Sequence, residues 1–408
     1  MQCGLLGRKL GHSYSPQIHA CLGDYSYELF EKEPEELESF LKSGGFRGLN
    51  VTIPYKKEVI PFLDEISPIA RRMGSVNTIV RRADGTLYGH NTDYYGFLSL
   101  VQHVKLCVAG KKVLVLGSGG TSNTVVKVLE DLNADITVIS RSSANNYGNL
   151  HLHRDAQVIV NTTPVGMFPN TGAAAVNIRE FPLLEGVLDV VYNPARTQIL
   201  LDAESLGIPN ANGLWMLVAQ AKESAEYFLH DKIDDSVIEV IYRKLSAQMK
   251  NIVLIGMPGC GKTTIGTALA KKCCRTLMDA DEEIVRLAGK PIPEVFSQDG
   301  EEAFRALETD VLNSLGKNSG IIIATGGGCV TMARNYPLLH QNGEIFWIQR
   351  DLSLLPTDGR PLSQANPLSK IFEARKPLYE SFSDAVVENI STPDAAADYI
   401  LKKWEELI

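Results

Sequence analysis

The stretch Asn251–Thr264 reads NIVLIGMPGCGKTT, and it decides the fold of the C-terminal part of the chain. Its apolar run Ile252–Ile255 is typical of a buried strand, the glycines that follow indicate a turn, and a helical pattern begins at Thr264. The spacing G-x-x-x-x-G-K-S/T is that of a phosphate-binding loop. The stretch therefore predicts a P-loop domain that starts near residue 250. The alternative is a glycine turn that happens to precede a helix.

The residue types of this loop give a role to each position that meets phosphate. Main-chain N–H groups and the positive end of the following helix attract phosphate oxygens. Lys262 reaches the outer phosphates, and the Thr263 hydroxyl is suited to hold Mg²⁺. The predicted ATP-binding residues of the loop are Gly256, Gly259, Cys260, Gly261, Lys262, Thr263 and Thr264.

Composition disfavours nucleic acid and anionic membranes as partners. The chain has 408 residues, of which 44% are hydrophobic and 22% are charged, and its formal net charge is −8. The seven cysteines are scattered and include the adjacent pair Cys273 and Cys274, which is unlike a disulfide framework. No leader peptide or membrane-spanning stretch is expected. We expect a cytoplasmic protein of two or three domains, monomeric or homodimeric, that acts on small molecules.

A second glycine-rich turn lies within Lys111–Ser122, which reads KKVLVLGSGGTS. A buried strand leads into the glycines and a helix continues from Thr121, as in dinucleotide-binding folds. The next strand, Asp135–Ile139, leads into Ser140-Arg141-Ser142, where an NAD enzyme would carry Asp or Glu for the ribose diol. An arginine flanked by hydroxyls suits the 2′-phosphate of NADP, and an exposed surface arginine is the alternative. The predicted NADP-binding residues are Gly117, Ser118, Gly119, Gly120, Thr121, Ser140, Arg141 and, after a later strand, Tyr192.

Two serines near the N-terminus precede a predicted helix. Ser13 and Ser15 stand just before or at its start, and Pro16 fits its first turn. Their hydroxyls either cap the helix or donate hydrogen bonds to a carboxylate. The residues alone leave both functions open.

Further polar residues follow the ends of strand-like runs in the N-terminal half. Thr52 and Lys56 lie at the end of an apolar strand. Asn77 and Asp93 each lie beside a strand-like run of their own. We expect Asn77 and Asp93 to face one cleft. A lysine just past a strand is most often a solvated surface charge, so Lys56 has that alternative.

Motifs within about residues 1–245 together resemble shikimate dehydrogenase. In chain order they are GHSYSPQIH, NVTIPYK, SVNT, NTD, GSGGTS, NTTPVGM, VYNP and GLWMLVAQ. The resemblance implies that Lys56 and Asp93 are the catalytic pair. It also implies that the substrate is bound by Ser13, Ser15, Thr52, Lys56, Asn77, Asp93 and Gln220. The Asn-Arg-Thr segment usual in that family is Ser140-Arg141-Ser142 here, and a basic residue often found downstream is Asn145.

Residues 250–408 resemble shikimate kinase in the phosphate loop and in the polar positions that follow it. The resemblance implies that Asp279 lies near Mg²⁺ with Thr263. It implies that Lys262 and Asp281 are catalytic, with Asp281 at the substrate hydroxyl. The substrate-binding residues implied are Asp281, Arg305, Gly327, Gly328 and Arg375, and Arg360 is implied as a lid residue over the phosphates of ATP. Between Arg350 and Arg360 there is no arginine to stack on adenine, although the family usually has one.

The sequence thus predicts an α/β chain in three parts. These are residues 1–98, a substrate-binding domain completed by helices 213–249; residues 99–212, a Rossmann-like NADP domain; and residues 250–408, a P-loop kinase domain with a parallel sheet. The resemblances imply a bifunctional enzyme of aromatic amino acid (chorismate) biosynthesis. One half would reduce 3-dehydroshikimate to shikimate with NADPH, and the other would phosphorylate shikimate to shikimate 3-phosphate with ATP and Mg²⁺.

Two alternatives to this function remain open at the level of sequence. The first keeps the enzyme class and changes the substrates: an NAD-dependent quinate or shikimate oxidiser joined to another small-metabolite kinase. The second changes the class, because one half would be a ligand-sensing module that regulates the other.

Overall fold

The structure is a computed structural model that describes residues 2–11, 13–355, 367–389 and 391–408. The chain forms two compact units. The first consists of Met1–Val165, Ala174–Tyr192 and Asp202–Arg243, and the second of Gly166–Ala173, Asn193–Leu201 and Lys244–Ile408. Within the described ranges no helix is both long enough and apolar enough to cross a membrane.

The first unit begins with a mixed sheet. Its strands are β1 (Gln2–Gly7), β2 (Ser26–Glu31), β3 (Gly48–Val51), β4 (Glu65–Ile66), β5 (Thr78–Arg81) and β6 (Leu87–His90). They are arranged in the order β2-β1-β3-β5-β6-β4, and β5 runs antiparallel to both β3 and β6. Every residue of β3 is buried, as expected for a central strand covered on both faces. The helices here are α1 (Ser15–His19), α2 (Leu37–Ser43), α3 (Pro68–Met73) and α4 (Asp93–His103).

The rest of the first unit is built on a parallel sheet. Its strands are β7 (Lys112–Leu116), β8 (Asp135–Ile139), β9 (Val158–Asn161), β10 (Gly186–Asp189) and β11 (Asn210–Ala211), in the order β11-β10-β9-β7-β8. The helices that follow these strands are α5 (Gly120–Asp131), α6 (Gln198–Ser205), α7 (Leu214–Leu229) and α8 (Ser236–Met249). The part of α6 up to Leu201 and the part of α8 from Lys244 belong to the second unit. Residues Val113–Leu116 of β7 are fully buried, which explains their uninterrupted apolar sequence.

The second unit contains a third sheet, which is also parallel. Its strands are β12 (Asn251–Ile255), β13 (Leu277–Asp279), β14 (Ile322–Ala324), β15 (Gly343–Gln349) and β16 (Ala385–Glu388), in the order β13-β14-β12-β15-β16. Its helices are α9 (Lys262–Cys273), α10 (Ala280–Ala288), α11 (Ile292–Gln298), α12 (Gly300–Gly316), α13 (Asn335–His340), α14 (Leu368–Phe382) and α15 (Pro393–Leu407). The predicted α/β class is confirmed in both units.

Short 3₁₀ helices connect several of these elements, at Pro34–Glu36, Ile60–Phe62, Tyr147–His153, Ile178–Glu180, Cys329–Thr331 and Leu352–Leu354.

Two helices begin slightly earlier than the sequence pattern predicts. Helix α9 starts at Lys262 instead of Thr264, and α5 starts at Gly120 instead of Thr121. For α9 the reason lies in the loop glycines: Gly256, Gly259 and Gly261 all have positive φ, and Gly261, with φ of +104°, is the last residue before the helix. Only glycine adopts that conformation readily, so helical geometry begins at the next residue.

Candidate active sites

In the first unit the Lys56 ammonium lies beside the Asp93 carboxylate. Lys56 comes from the segment after β3, and Asp93 is the first residue of α4. Lys56 Nζ donates to Asp93 Oδ2 at 2.6 Å, and Asn77 Nδ2 donates to Asp93 Oδ1 at 2.9 Å. The side chains of Lys56 and Asp93 are 30% and 17% exposed, so the pair is fixed in place yet open to a small molecule.

Thr92, which the sequence analysis did not single out, connects this pair to Gln220. Its main-chain N–H donates to Asn77 Oδ1 at 2.7 Å, and its hydroxyl donates to Gln220 Oε1 at 3.4 Å. Thr92 is fully buried and stands between two polar residues of the NTD motif, which is the one signal that the sequence offered. Four of the predicted residues, Lys56, Asn77, Asp93 and Gln220, therefore belong to one hydrogen-bonded group.

The two N-terminal serines stand at the start of α1. The Ser15 N–H donates to Ser13 Oγ at 3.2 Å, and both residues are half-buried. The N-cap residue of α1 is Tyr14, and in the part of the chain that the structure describes its side chain makes no capping hydrogen bond. A hydroxyl oxygen that accepts a hydrogen bond keeps its own proton to donate, so the Ser13 contact does not exclude binding of a carboxylate. Thr52 is packed against Gly7 at the end of β1, since a Cβ built on Gly7 would lie 2.8 Å from Thr52 Cγ2.

The glycine turn after β7 presents exposed main chain. Ser118, Gly119 and Gly120 are all exposed, and Ser122 Oγ donates to Gly117 O at 2.7 Å, which closes the turn. Among the described side chains none caps α5 at its N-cap residue, Gly119. The first N–H groups of α5 are thus available to an anion such as a pyrophosphate.

Arg141 lies at the same edge of the sheet as the glycine turn. It follows β8, which pairs with β7 in parallel so that Ile139 stands opposite Leu116. Arg141 is exposed, whereas the preceding Ser140 is buried. An exposed guanidinium beside a glycine turn fits a dinucleotide that carries an extra phosphate on its ribose.

Tyr192 links the cofactor side of the first unit to the segment with the two serines. Its ring meets the ring of Tyr14 edge-on, with the ring centroids 6.2 Å apart and an interplanar angle of 74°. Tyr14 lies between Ser13 and Ser15 in the sequence. Burial raises the pKa of both tyrosines, so their phenols stay neutral.

In the second unit the phosphate loop borders a cavity of about 410 Å³. Lys262 is only 8% exposed, and its Nζ donates to Gly256 O at 2.9 Å and to Met257 O at 3.1 Å. Two neutral carbonyl groups orient the ammonium but do not neutralise it. The loop therefore offers a positive charge to any anion that enters the cavity.

Oxygen ligands for a divalent cation stand at the same cavity. Thr263 Oγ1 donates to Asp279 Oδ2 at 2.7 Å, and both residues line the cavity. The other oxygen of Asp279 accepts the N–H of Asp281 at 3.0 Å, which fixes the carboxylate at the start of α10. A hydroxyl and a carboxylate are the ligand types that Mg²⁺ prefers, so these residues fit that ion.

Asp281 and Arg305 converge on a glycine strip behind the phosphate loop. A Cβ on Gly326 would lie 2.9 Å from Asp281 Oδ1, and one on Gly328 would lie 2.4 Å from the Arg305 guanidinium. Any larger residue at these two positions would push the polar side chains away. The glycine run is therefore required by close approach, as the sequence indicated.

Glu308 holds Arg305 in this arrangement and was not predicted. Its Oε2 accepts from Arg305 Nη1 at 2.7 Å, and Glu308 itself is fully buried. Burial raises the pKa of Glu308, and the Arg305 charge only partly offsets that effect. The signal was available in the sequence, because residues three apart on a helix are neighbours.

Arg375 and Gly327 are also brought together. Arg375 Nη1 donates to Gly327 O at 3.0 Å, and the hydroxyl of the buried Tyr379 donates to the same oxygen. Asn389, another residue that the sequence did not indicate, donates from Nδ2 to Cys260 O in the phosphate loop at 2.7 Å. Of the predicted residues, Arg360 lies outside the described residues.

The two sites define the class of the protein. The first unit carries an acid–base pair with a dinucleotide-binding turn, as in a dehydrogenase, and the second carries a phosphate-loop cavity, as in a small-molecule kinase. Comparison with known proteins gives the families. Residues 5–79 match the family described as "Shikimate dehydrogenase substrate binding domain", and residues 258–405 match "Shikimate kinase".

Individual relatives agree with the first of these matches. A shikimate dehydrogenase (NADP(+)) from Clostridium perfringens is 39% identical over 267 residues, which cover 60% of this chain and 98% of that protein. A solved chorismate mutase/shikimate 5-dehydrogenase fusion protein from Clostridium acetobutylicum is 36% identical, with a TM-score of 0.57, and covers 60% of this chain and 96% of its own. A shikimate 5-dehydrogenase from Thermus thermophilus, solved with NADP(H) and shikimate, is 30% identical, with a TM-score of 0.55, over 60% of this chain and 99% of its own.

The chain belongs to the shikimate dehydrogenase family, and its C-terminal part is a shikimate kinase domain. It is a bifunctional shikimate-pathway enzyme, and both resemblances found in the sequence are confirmed.

Proposed function

We propose that the first unit reduces 3-dehydroshikimate to shikimate with NADPH and that the second unit phosphorylates the shikimate 3-hydroxyl with ATP. The observation that carries this proposal is that one chain holds a bonded Lys56–Asp93 pair and, separately, an open phosphate-loop cavity. The two reactions are consecutive, because the product of the first is the substrate of the second. Each assignment therefore supports the other.

In the proposed reduction Lys56 supplies the proton. NADPH, when bound at the glycine turn, supplies the hydride that reaches the carbonyl carbon. The carbonyl oxygen becomes an alkoxide, and the Lys56 ammonium protonates it. Asp93 orients the ammonium at 2.6 Å and accepts a hydrogen bond from a ring hydroxyl, while Asn77 holds Asp93 from the other side. Ser13 and Ser15 bind the carboxylate, and Thr52 and Gln220 bind the ring hydroxyls.

In the proposed phosphorylation the protein positions charge. ATP, when bound, supplies the phosphoryl group, and Thr263 and Asp279 hold its Mg²⁺. Lys262 stabilises the charge on the transferred group, as Arg360 does in our proposal. Asp281 accepts the proton of the attacking hydroxyl. Arg305 and Arg375 bind the substrate carboxylate against the main chain of Gly327 and Gly328.

Arg141 favours NADPH over NADH in this proposal. It is exposed at the end of β8, where an NAD enzyme would place a carboxylate for the ribose diol. The alternative, an NAD-dependent quinate or shikimate oxidiser, would be expected to carry a carboxylate at this position.

The proposal extends to organisation and location. We propose the three-domain division at residues 1–98 with helices 213–249, 99–212 and 250–408. We also propose a cytoplasmic enzyme that binds small molecules and neither nucleic acid nor membranes, as a monomer or homodimer.

The direct test is a coupled assay on the full chain. 3-Dehydroshikimate, NADPH, ATP and Mg²⁺ are supplied together, and shikimate 3-phosphate is followed by mass spectrometry. We expect shikimate 3-phosphate with the full mixture, shikimate alone without ATP, and neither product without NADPH. Parallel rates with NADH and with quinate separate the alternative substrates. NADPH oxidation without phosphorylated product would refute the kinase half. Phosphorylated product from added shikimate, but none from 3-dehydroshikimate with NADPH, would refute the reductase half.

A further inference from the structure

A short stretch of chain directly after Tyr192 belongs to the second unit. We call Asn193–Leu201, which reads NPARTQILL, the anchor segment. The anchor segment is buried against its surroundings. Less than a tenth of the surface is exposed in each of Ala195, Thr197, Ile199 and Leu200. The preceding residue, Tyr192, belongs to the first unit.

The anchor segment is held by main-chain groups at the start of β15. The Ala195 N–H donates to Asn342 Oδ1 at 2.7 Å, and the Arg196 N–H donates to Gln341 O at 2.8 Å. The Arg196 guanidinium also donates to His340 O at 3.1 Å and to Gly343 O at 3.2 Å. These contacts fix both the backbone and the side chain of Arg196.

A buried carboxylate completes the contact. Glu344 Oε1 accepts from Arg196 Nη2 at 2.7 Å and from Lys250 Nζ at 2.6 Å. Glu344 is only 2% exposed, and the side chains of its two cations are 14% and 16% exposed. A charge pair that is buried this far is costly to break, because removal of one partner leaves the other charged group without compensation.

The buried carboxylate lies where two neighbouring strands begin. Glu344 is the second residue of β15 and stands opposite Ile252 of β12, while Lys250 directly precedes β12. Arg196 therefore interacts with the kinase sheet at its central strands. Ordinary surface ion pairs contribute little, but this one is desolvated and shares its carboxylate between two cations.

We propose that the surface formed by His340–Glu344 and Lys250 is the docking site of the anchor segment, and that this docking restrains Tyr192. The second clause rests on the proposed role of Tyr192 in NADP binding. The Ala195 N–H is three residues after Tyr192, and three residues of extended chain reach no further than ~10 Å. Arg196 is thus a positioning residue for the cofactor, although its partner Glu344 lies in the kinase sheet.

The test uses the full chain with Arg196→Ala, Glu344→Gln and the double variant. The matched control is Glu380→Gln, because Glu380 lies in the same unit and faces Lys376 at 3.9 Å with both side chains 53% exposed. The readouts are hydrogen exchange of the peptide that covers the anchor segment, the Kd for NADPH from fluorescence titration, and KM and kcat for reduction. Circular dichroism identifies any variant that does not fold, and Arg196→Ala is the milder change if Glu344→Gln fails.

We expect both single variants to lose protection in the anchor segment and to bind NADPH about 2- to 30-fold more weakly, with kcat nearly unchanged. The double variant should be little worse than the stronger single variant, since both remove the same contact. Arg196→Lys should restore part of the affinity. The control should match wild type in every readout.

Two results would overturn the inference, and a third concerns only the reaction. Unchanged protection in folded Arg196→Ala would refute the docking, and lost protection with an unchanged NADPH Kd would refute the restraint on Tyr192. Wild-type protein that binds NADPH but does not reduce 3-dehydroshikimate would refute the proposed function. In that case the docking and the restraint are still decided by exchange and titration.

Discussion

The two lysines that we propose as catalytic residues have opposite environments. Lys56 in the first unit is paired with the carboxylate of Asp93 at 2.6 Å, while Lys262 in the second unit donates to the neutral carbonyls of Gly256 and Met257. The Lys56 side chain is 30% exposed, whereas Lys262 is 8% exposed. The Lys56 ammonium is paired with a carboxylate. The more buried Lys262 ammonium has no carboxylate partner among the described residues.

This difference fits the chemistry that we propose for each lysine. A proton donor to a neutral ketone must be oriented, and a fixed carboxylate does that without a ligand. A lysine that binds a triphosphate must not already be paired with a carboxylate, because the phosphates themselves supply the negative charge. In our proposal the same type of side chain therefore acts as an acid in one unit and as a fixed positive charge in the other.

The largest effect is expected at the uncompensated lysine. Lys262→Ala should abolish phosphorylation, because nothing else on the loop carries its charge to the outer phosphates, and should leave ketone reduction near wild type. Shikimate-dependent ADP release and NADPH oxidation measure the two activities separately. Lys271→Ala is the matched control, an exposed lysine on the same helix, α9. Loss of both activities in a folded protein would contradict independent sites.

The compensated lysine should give the next largest effect. Lys56→Ala should lower kcat for reduction about 10²–10⁴-fold with a smaller change in KM, the range typical of one general acid. Kinase activity should survive. Lys57→Ala, at the neighbouring exposed lysine, serves as control. A kcat loss under about tenfold, judged against that range, would mean that another group or water donates the proton.

The choice between NADPH and NADH tests a second charged side chain that we propose to be paired only when a ligand is bound. We propose that Arg141 binds the 2′-phosphate of NADPH, as Lys262 binds the phosphates of ATP. Arg141→Ala should raise KM for NADPH about 10- to 100-fold, equivalent to ~1.5–3 kcal/mol for a charge-assisted hydrogen bond, and should leave NADH nearly unaffected. Arg154→Ala provides an exposed arginine as control. Equal losses for both cofactors would show that Arg141 does not recognise the phosphate.

The smallest effect is expected on stability, at Glu344, whose carboxylate is paired with Arg196 and Lys250. Burial raises its pKa, but the charges of Arg196 and Lys250 prevail, so the pKa lies below its ordinary value. His340 and Asp384 are the other titratable groups nearby. A lowered carboxyl pKa stabilises the folded state above the unfolded pKa, and that contribution is lost as pH falls, at ~1.4 kcal/mol per pKa unit.

Urea midpoints from about pH 5, above the ordinary glutamate pKa, down to the lowered pKa of about 2 measure this contribution. Wild type should lose stability on acidification more steeply than Glu344→Gln, which has no proton to gain at that position. Parallel curves for the two proteins would show that Glu344 contributes no pH-dependent stability.

Much of the fold was predictable because its signals are local. The glycine turns after β7 and β12 follow uninterrupted apolar runs, and such runs are typical of buried parallel strands. Helix α8 begins and ends at the predicted residues, Ser236 and Met249. The helix starts at Lys262 and Gly120 were missed by one or two residues, because the exact boundary of a helix depends on backbone conformation, which composition does not reveal.

The site residues that the sequence did not indicate differ in how far along the chain their partners lie. Glu308 was deducible from its spacing to Arg305, but Asn389 contacts Cys260 across 129 residues and nothing local marks it. Arg196 and Glu344 are 148 residues apart, and each alone resembles a surface charge. Spacing shows which residues share a helix face, whereas packing decides which strands and loops meet.

The hydrogen bond from Asn389 to the phosphate loop has a consequence for synthesis on the ribosome. The loop is translated 129 residues before the side chain that holds its Cys260 carbonyl. A nascent chain therefore possesses the loop long before it possesses the strand β16 that leads to Asn389. We expect ATP to be retained only after nearly the whole chain has left the exit tunnel, so nucleotide capture by stalled chains of increasing length would report when the kinase sheet closes.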